Sequence, residues 1–270
     1  MQNSKNIQFE NSYALLPKPF YAKVKPERFS NAKIISLNKG LAEELNLDSD
    51  WLLTAQGNQF LSGQEIHGGS DPLAQAYAGH QFGTFVPQLG DGRAVLLGEI
   101  VDINGNRKDF QLKGSGRTPF SRNGDGKATL GPILREYLIS EYMHAINIPT
   151  TRSLAAITTG ETVIREEALP GAVLVRIASS HVRIGTFQYF SARQMTDEIK
   201  LLADYIIARH YPLVLSQKEP YLRLFQNVLD RQANLISDWM SIGFIHGVMN
   251  TDNTTLSGET IDYGLSLIHI

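Results

Sequence analysis

Read by its apolar and polar positions, the chain changes character at about residue 82. Residues 82–88, 94–102 and 108–113 are short β-prone runs broken by glycine, asparagine and aspartate, and Asn104-Gly105 between the last two is a two-residue hairpin signal. Three consecutive antiparallel strands are therefore expected. Residues 129–146 shift to helical spacing, with Pro132 in the first turn and a broad apolar surface that includes Leu134, Leu138, Ile139, Met143, Ala145 and Ile146. Such a helix must pack on something. Residues 154–165 and 172–178 read as two more strands, joined around Leu169-Pro170-Gly171. Five strands beside one helix make a compact α+β unit.

Beyond Ser191 the spacing is helical again. Residues 196–210 form one helix and 221–242 another, with Leu222, Phe225, Leu229, Ile236 and Trp239 on one stripe. The boundary between the β-rich and helical parts falls between Phe187 and Met195. Residues 1–80 are turn-rich, with prolines at 17, 19, 26 and 72, and only 41–47 reads as a short helix. They look like an extension wrapped on a later core. The expected organisation is thus 1–80, 81–190 and 191–264, with no internal repeat.

Composition narrows the function. The 270 residues are 42% hydrophobic and 19% charged, with a net charge of −2, so no global basic field favours nucleic acid or an acidic membrane. Any anion site must be local. There are no cysteines, which removes disulfides, thiolate metal sites and thiol catalysis. The first fifteen residues lack the pattern of a signal or transit peptide, and no stretch reaches the roughly 18 apolar residues of a membrane span, so a soluble cytoplasmic protein is expected.

Several residues could carry chemistry. Gln88-Leu89-Gly90-Asp91-Gly92-Arg93 would let backbone amides approach an anion with Arg93 beside them, although an ordinary hairpin turn fits the same residues locally. Lys113 projects from a strand face, and Glu136, 23 residues on, shares a stripe with Ile139, Met143 and Ile146. A carboxylate in an apolar stripe needs a cation, and Lys113 is the economical partner. Asp125-Gly126-Lys127 closes a polar, glycine-rich run from Ser115 that is too long for a tight turn. Arg176 is either the polar face of an exposed strand, the likelier local reading, or part of a phosphate-binding cleft with Arg183. In Phe244–Asn253, followed nine residues later by Asp262-Tyr263-Gly264, Asn and Asp oxygens could converge on a hard divalent cation. Asn250-Thr251-Asp252-Asn253 could otherwise be a plain Asx-type turn.

In chain order this set resembles that of the protein kinases: glycine loop, strand Lys, helix Glu, His-initiated loop and Asp-Tyr-Gly. One member departs. Val248 stands where a kinase has the Asp that accepts the substrate proton. Together with Ala78-Gly79-His80-Gln81-Phe82-Gly83 and the long stretches Val86–Ala94 and Leu112–Arg122, the sequence resembles the selenoprotein O family, also called YdiU, from about Asn11 to Gly264.

The resemblance implies a protein-kinase-like, two-lobed α+β fold, with an N-lobe of antiparallel sheet plus one helix and a truncated helical C-lobe. It implies a pseudokinase that holds ATP in a flipped orientation and transfers AMP to Ser, Thr or Tyr hydroxyls of proteins, with Mg2+ or Mn2+. Carried over, it makes Gly90, Gly92, Arg93, Lys113, Asp125, Gly126, Arg176, Arg183 and Asp262 nucleotide contacts, with Lys113 held by Glu136. Asn253 and Asp262 would hold the metal, and Asp252 would accept the proton. The implied partners are proteins, not nucleic acid or membrane. The tail at residues 265–270 does not resemble the family there and reads as non-native, so the chain is expected to be a truncated piece with exposed apolar helix surface and low activity.

Overall fold

A computed structural model describes residues 7–264; the tail at 265–270 lies outside them. The fold is α+β. Its strands in chain order are β1 (Tyr21–Lys23), β2 (Lys33–Leu37), β3 (Leu73–Gln75), β4 (Gly79–Gln81), β5 (Thr84–Val86), β6 (Ala94–Val101), β7 (Arg107–Lys113), β8 (Ala128–Thr129), β9 (Arg152–Ile164) and β10 (Ala168–Ala178). The α-helices are α1 (Lys39–Glu44), α2 (Ser49–Leu52), α3 (Ala55–Leu61), α4 (Leu130–Ala145), α5 (Ile184–Ser191), α6 (Thr196–His210) and α7 (Pro220–Ser241).

One sheet runs β1-β3-β6-β7-β10-β9-β2, with β8 added beside β10 and every pairing antiparallel. The strands expected at 94–102, 108–113, 154–165 and 172–178 are all present. The expected strand at 82–88 is not part of the sheet. Phe82 and Gly83 both take positive φ, so the chain turns back at once and β5 pairs only with β4. The β6–β7 connection is also wider than a two-residue turn, because the Asp102 carboxylate accepts from the N–H groups of both Asn104 and Asn106.

The described part of the first stretch, residues 7–80, contains more structure than its turn-rich composition suggests. It supplies β1 and β3 at one edge and β2 at the other, and it forms three short helices rather than one. The side chains of Asn38, Asp48 and Thr54 each accept a backbone N–H at the start of α1, α2 and α3 respectively. Leu41, Leu52 and Phe60 then pack with Leu112, Val175 and Ile177 in the largest apolar cluster, on one face of the sheet.

The other face carries the polar residues. Strand alternation puts Asp109, Gln111 and Lys113 on the side away from Phe110 and Leu112, and direct pairing of Gln111 with Arg176 puts Arg176 there too. This face is covered at one end by α4 through Ile133 and Leu174, and at the other by α5 and α6, through Phe190, Leu202 and Ile206 against Leu73 and Leu96. A polar strip is left between two apolar seals. Two helices depart from the sequence reading: Leu138 on α4 is exposed, and so are Leu222, Phe225, Leu229 and Ile236 of the α7 stripe. Only Leu224, Leu235 and Trp239 of α7 are buried. No described helix is long and apolar enough to cross a membrane.

Candidate active site: an ion cluster between the sheet and the His246–Tyr263 segment

Glu136 is buried on α4 with both oxygens engaged: Oε2 accepts from Lys113 Nζ at 2.5 Å and Oε1 accepts from Arg176 Nε at 2.5 Å. The second partner was not anticipated. Arg176 is 1% exposed, so the exposed-strand reading fails; the sheet is covered on this face and its guanidinium must find anions inside. Arg176 also donates to Asp262 Oδ1 at 2.5 Å, and Arg183, 2% exposed, donates to Asp262 Oδ2 at 2.5 Å. Lys113 Nζ stands 3.5 Å from Asp262 Oδ1. Three cations from β7, β10 and the segment after it therefore converge on two carboxylates.

The segment that delivers Asp262 is fixed from below. His246 stacks on Trp239 at 5.5 Å and its Nε2 lies 2.8 Å from the Ile261 carbonyl. Trp239 Nε1 donates to Thr260, and Tyr263 shares a bond with Thr150. Asp262 itself takes a left-handed φ of 57°. The same Arg183 Nη1 that reaches Asp262 also donates to the backbone carbonyl of Asp252 at 2.5 Å, so the Asp252-Asn253 turn and Asp262 meet across one guanidinium. Asp252 Oδ1 accepts from the His80 N–H at 3.2 Å, and Asn250 Nδ2 donates to the His80 carbonyl, which ties the turn to the β4–β5 hairpin.

Burial sets the protonation. Burial and the Arg176 charge push the Lys113 ammonium down to about 8, with Glu136 and Asp262 opposing the shift. Burial would raise Asp262, but Arg176, Arg183 and Lys113 outweigh it and hold the carboxylate well below its usual range. Glu136 is likewise lowered, burial being outweighed by Arg176 and Lys113.

The glycine loop lies against the Ser115–Gly126 loop. Gly90 has φ 101°, and a Cβ there would stand 2.5 Å from the Phe120 ring. Thr118 Oγ1 donates to the Asp91 carbonyl, and Ser121 Oγ to that of Gly92. Arg93 is exposed and forms no ion pair with a described residue. Asp125 is not joined to the cluster by any contact among the described residues. It pairs with Arg165 at 2.8 Å, and that hydrogen bond brings its carboxyl down to about 2.

Sequence reasoning missed Asp91 as a side chain. It is buried, its Oδ2 accepts from the Gln75 N–H at 3.0 Å, and its Oδ1 stands 3.9 Å from Arg183. Burial raises its pKa. It also missed a second ion group on the same face, in which Arg209 of α6 reaches Asp109 at 2.6 Å and Glu99 at 3.1 Å while His181 Nδ1 lies 3.1 Å from Asp109. The alternation Asp109-Phe110-Gln111-Leu112-Lys113 was the available signal.

A divalent cation would find a partial donor set. Among the described residues no three His, Cys, Asp or Glu side chains cluster to hold a metal. Asp262 and Asn253 carry hard oxygen donors of the kind that suit a cation completing its shell with water and substrate phosphate, but both Asp262 oxygens here accept from Arg176 and Arg183 and would have to leave them.

The family profile described as "Protein adenylyltransferase SelO" matches residues 3–266. Similar curated proteins include the "Protein nucleotidyltransferase YdiU" of Rhodopseudomonas palustris strain BisB18, 62% identical over 259 residues, or 96% of this chain and 53% of the relative. The protein of the same name from Bradyrhizobium diazoefficiens is 60% identical over 259 residues, with the same coverage of each. That of Rhizobium rhizogenes strain K84 is 60% identical over 258 residues, 96% of this chain and 51% of the relative. The chain spans about half the length of the curated relatives it matches.

Proposed function

Because this chain belongs to the SelO family of protein adenylyltransferases, we propose that it binds ATP with its triphosphate reversed relative to a kinase and transfers AMP to Ser, Thr or Tyr hydroxyls of proteins. The observation that carries this reading is the buried cation cradle. Lys113, Arg176 and Arg183 converge where three side chains can share one polyphosphate. A kinase places an apolar purine slot where this reading places the two arginines, and the kinase proton acceptor is replaced by Val248.

In this reading the arrangement is protein-kinase-like, with the sheet and α4 as the N-lobe and α5 to α7 with the Asp252 and Asp262 segments as the beginning of the C-lobe. Lys113, held by Glu136, binds phosphate; Arg176 and Arg183 bind the far end of the triphosphate. Gly90, Gly92 and Arg93 line the nucleotide, and Asp125 and Gly126 join them, Asp125 after exchanging its Arg165 partner. The acceptor oxygen attacks the α-phosphorus, the bond from that phosphorus to the α–β bridging oxygen breaks, and pyrophosphate departs. Asp252 takes the hydroxyl proton. Its Oδ1 is oriented by the His80 N–H, which leaves Oδ2 for that role. Asn253 and Asp262 would hold Mg2+ or Mn2+, which supplies positive charge at the phosphates.

Labelled ATP tests the proposal. Label from the α-phosphate should appear on protein, with pyrophosphate released. Label from the γ-phosphate on protein would make the chain a kinase, and ATP binding with neither would leave a nucleotide-binding module.

A further inference from the structure

Glu136 and Asp262 both neutralise the cradle, yet they differ in freedom. The Glu136 side chain is 2% exposed and lies beneath the cations, whereas that of Asp262 is 23% exposed and lies on the solvent side. Asp262 engages all three cations, at 2.5 Å from Arg176 and Arg183 and 3.5 Å from Lys113. These are the groups that the proposed function assigns to phosphate. The cradle holds three positive charges against Glu136 and Asp262, with Asp91 a further carboxylate 3.9 Å from Arg183, so little positive charge is left uncompensated. A polyphosphate entering beside Asp262 would bring like charges together inside a poorly solvated cluster.

We propose that Asp262 is an internal competitor for the polyphosphate site: its carboxylate occupies the cation cradle, and a divalent cation admits nucleotide by drawing that carboxylate off the arginines and lysine. The inference rests on the nucleotide-binding reading and adds a coupling to it. Divalent cation and polyphosphate then bind with positive cooperativity, beyond the neutralisation of phosphate by metal in solution, because each favours the arrangement in which Asp262 has left the cradle. Asn253 follows Asp252 in sequence, and the Asp252 carbonyl shares Arg183 Nη1 with Asp262, so the turn that carries the second candidate donor already meets Asp262 at that guanidinium.

The test is titration calorimetry of the whole chain with inorganic tripolyphosphate in EDTA, comparing the unaltered protein with Asp262→Asn and Asp262→Ala. Both substitutions should tighten metal-free binding by roughly tenfold or more, since each deletes the competing charge. Mg2+ should tighten binding to the unaltered chain and leave the variants unchanged or weaker. Should a variant unfold from repulsion among the freed cations, tripolyphosphate in EDTA should restore its folded circular-dichroism signal. Variants that bind metal-free tripolyphosphate no better than the unaltered chain, or that stay unfolded with it, overturn the proposal. If the unaltered chain still binds Mg2+ with ATP and Lys113→Ala loses that binding, the nucleotide reading survives such a failure. If it binds neither ligand under any condition, both fall.

Discussion

At the residue scale, geometry separates groups that share one charge into different roles. Asp252 keeps one oxygen on a backbone N–H and the other without a hydrogen-bond partner among the described residues, whereas Glu136 spends both oxygens on buried cations. Asp252→Asn should therefore lower AMP transfer by about 10²- to 10⁴-fold with ATP affinity preserved, as read by α-labelled ATP incorporation beside equilibrium binding. Glu136→Gln removes one anion from between Lys113 and Arg176. It should destabilise the fold by roughly 3–5 kcal/mol in urea unfolding, the range for breaking one side of a buried ion pair. The pairing of Glu136 with Lys113 was legible because a carboxylate in an apolar stripe must find a cation. The part played by Arg176 was not, since an arginine alternating with apolar residues reads the same on an open strand and on a covered one.

At the element scale, two features carry consequences. Gly126 has φ 70°, and a Cβ there would stand 2.0 Å from the Gly116 carbonyl oxygen. Gly126→Ala should force apart the two ends of the Ser115–Gly126 loop, costing about 1–3 kcal/mol in thermal unfolding and weakening ATP binding. Helix α7 leaves Leu222, Phe225, Leu229, Ile236 and Met240 exposed along one face while Leu235 and Trp239 anchor the other. A patch of this kind drives association. The chain should self-associate at high concentration in light scattering, and Phe225→Glu with Leu229→Lys should reduce that association without lowering stability. A strand does form within 82–88, but its start and its partner were misread, because β-propensity registers a run's composition, whereas Phe82-Gly83 turns the chain through a backbone conformation that composition does not report.

At the scale of the whole molecule, α6 is fastened to the sheet by buried polar contacts whose charge depends on pH. Burial, with the neighbouring Arg209 charge, drives His210 down to about 3 from 6.5, and its Nε2 lies 3.0 Å from Ser180 Oγ. An unfolded chain binds the proton below pH 6.5 while the folded one refuses it until about pH 3, so this contribution is complete above 6.5 and is lost as pH falls between those values. Stability should drop by up to ~2 kcal/mol between pH 7 and pH 5, and His210→Gln should flatten that part of the urea-unfolding profile. Arg209 and His181, outweighing burial, bring Asp109 down to about 2, so its contribution is lost only below the usual carboxylate range and falls outside this window.

The sequence alone determined the α+β class, most strands and helices and the family, because apolar periodicity and long motifs are local properties of the chain. It also singled out Lys113, Glu136, Arg176, Arg183, Asp252 and Asp262 as candidates. Tertiary structure decided how they meet. That two arginines share one carboxylate, that Asp91 is buried beside them, that Asp125 faces Arg165 instead, and that three strands of the first 80 residues complete the sheet all depend on contacts between segments far apart in the chain. Burial is the physical reason. Whether a charged side chain faces water or another charge is set by what covers its face of the sheet, and no local pattern records that.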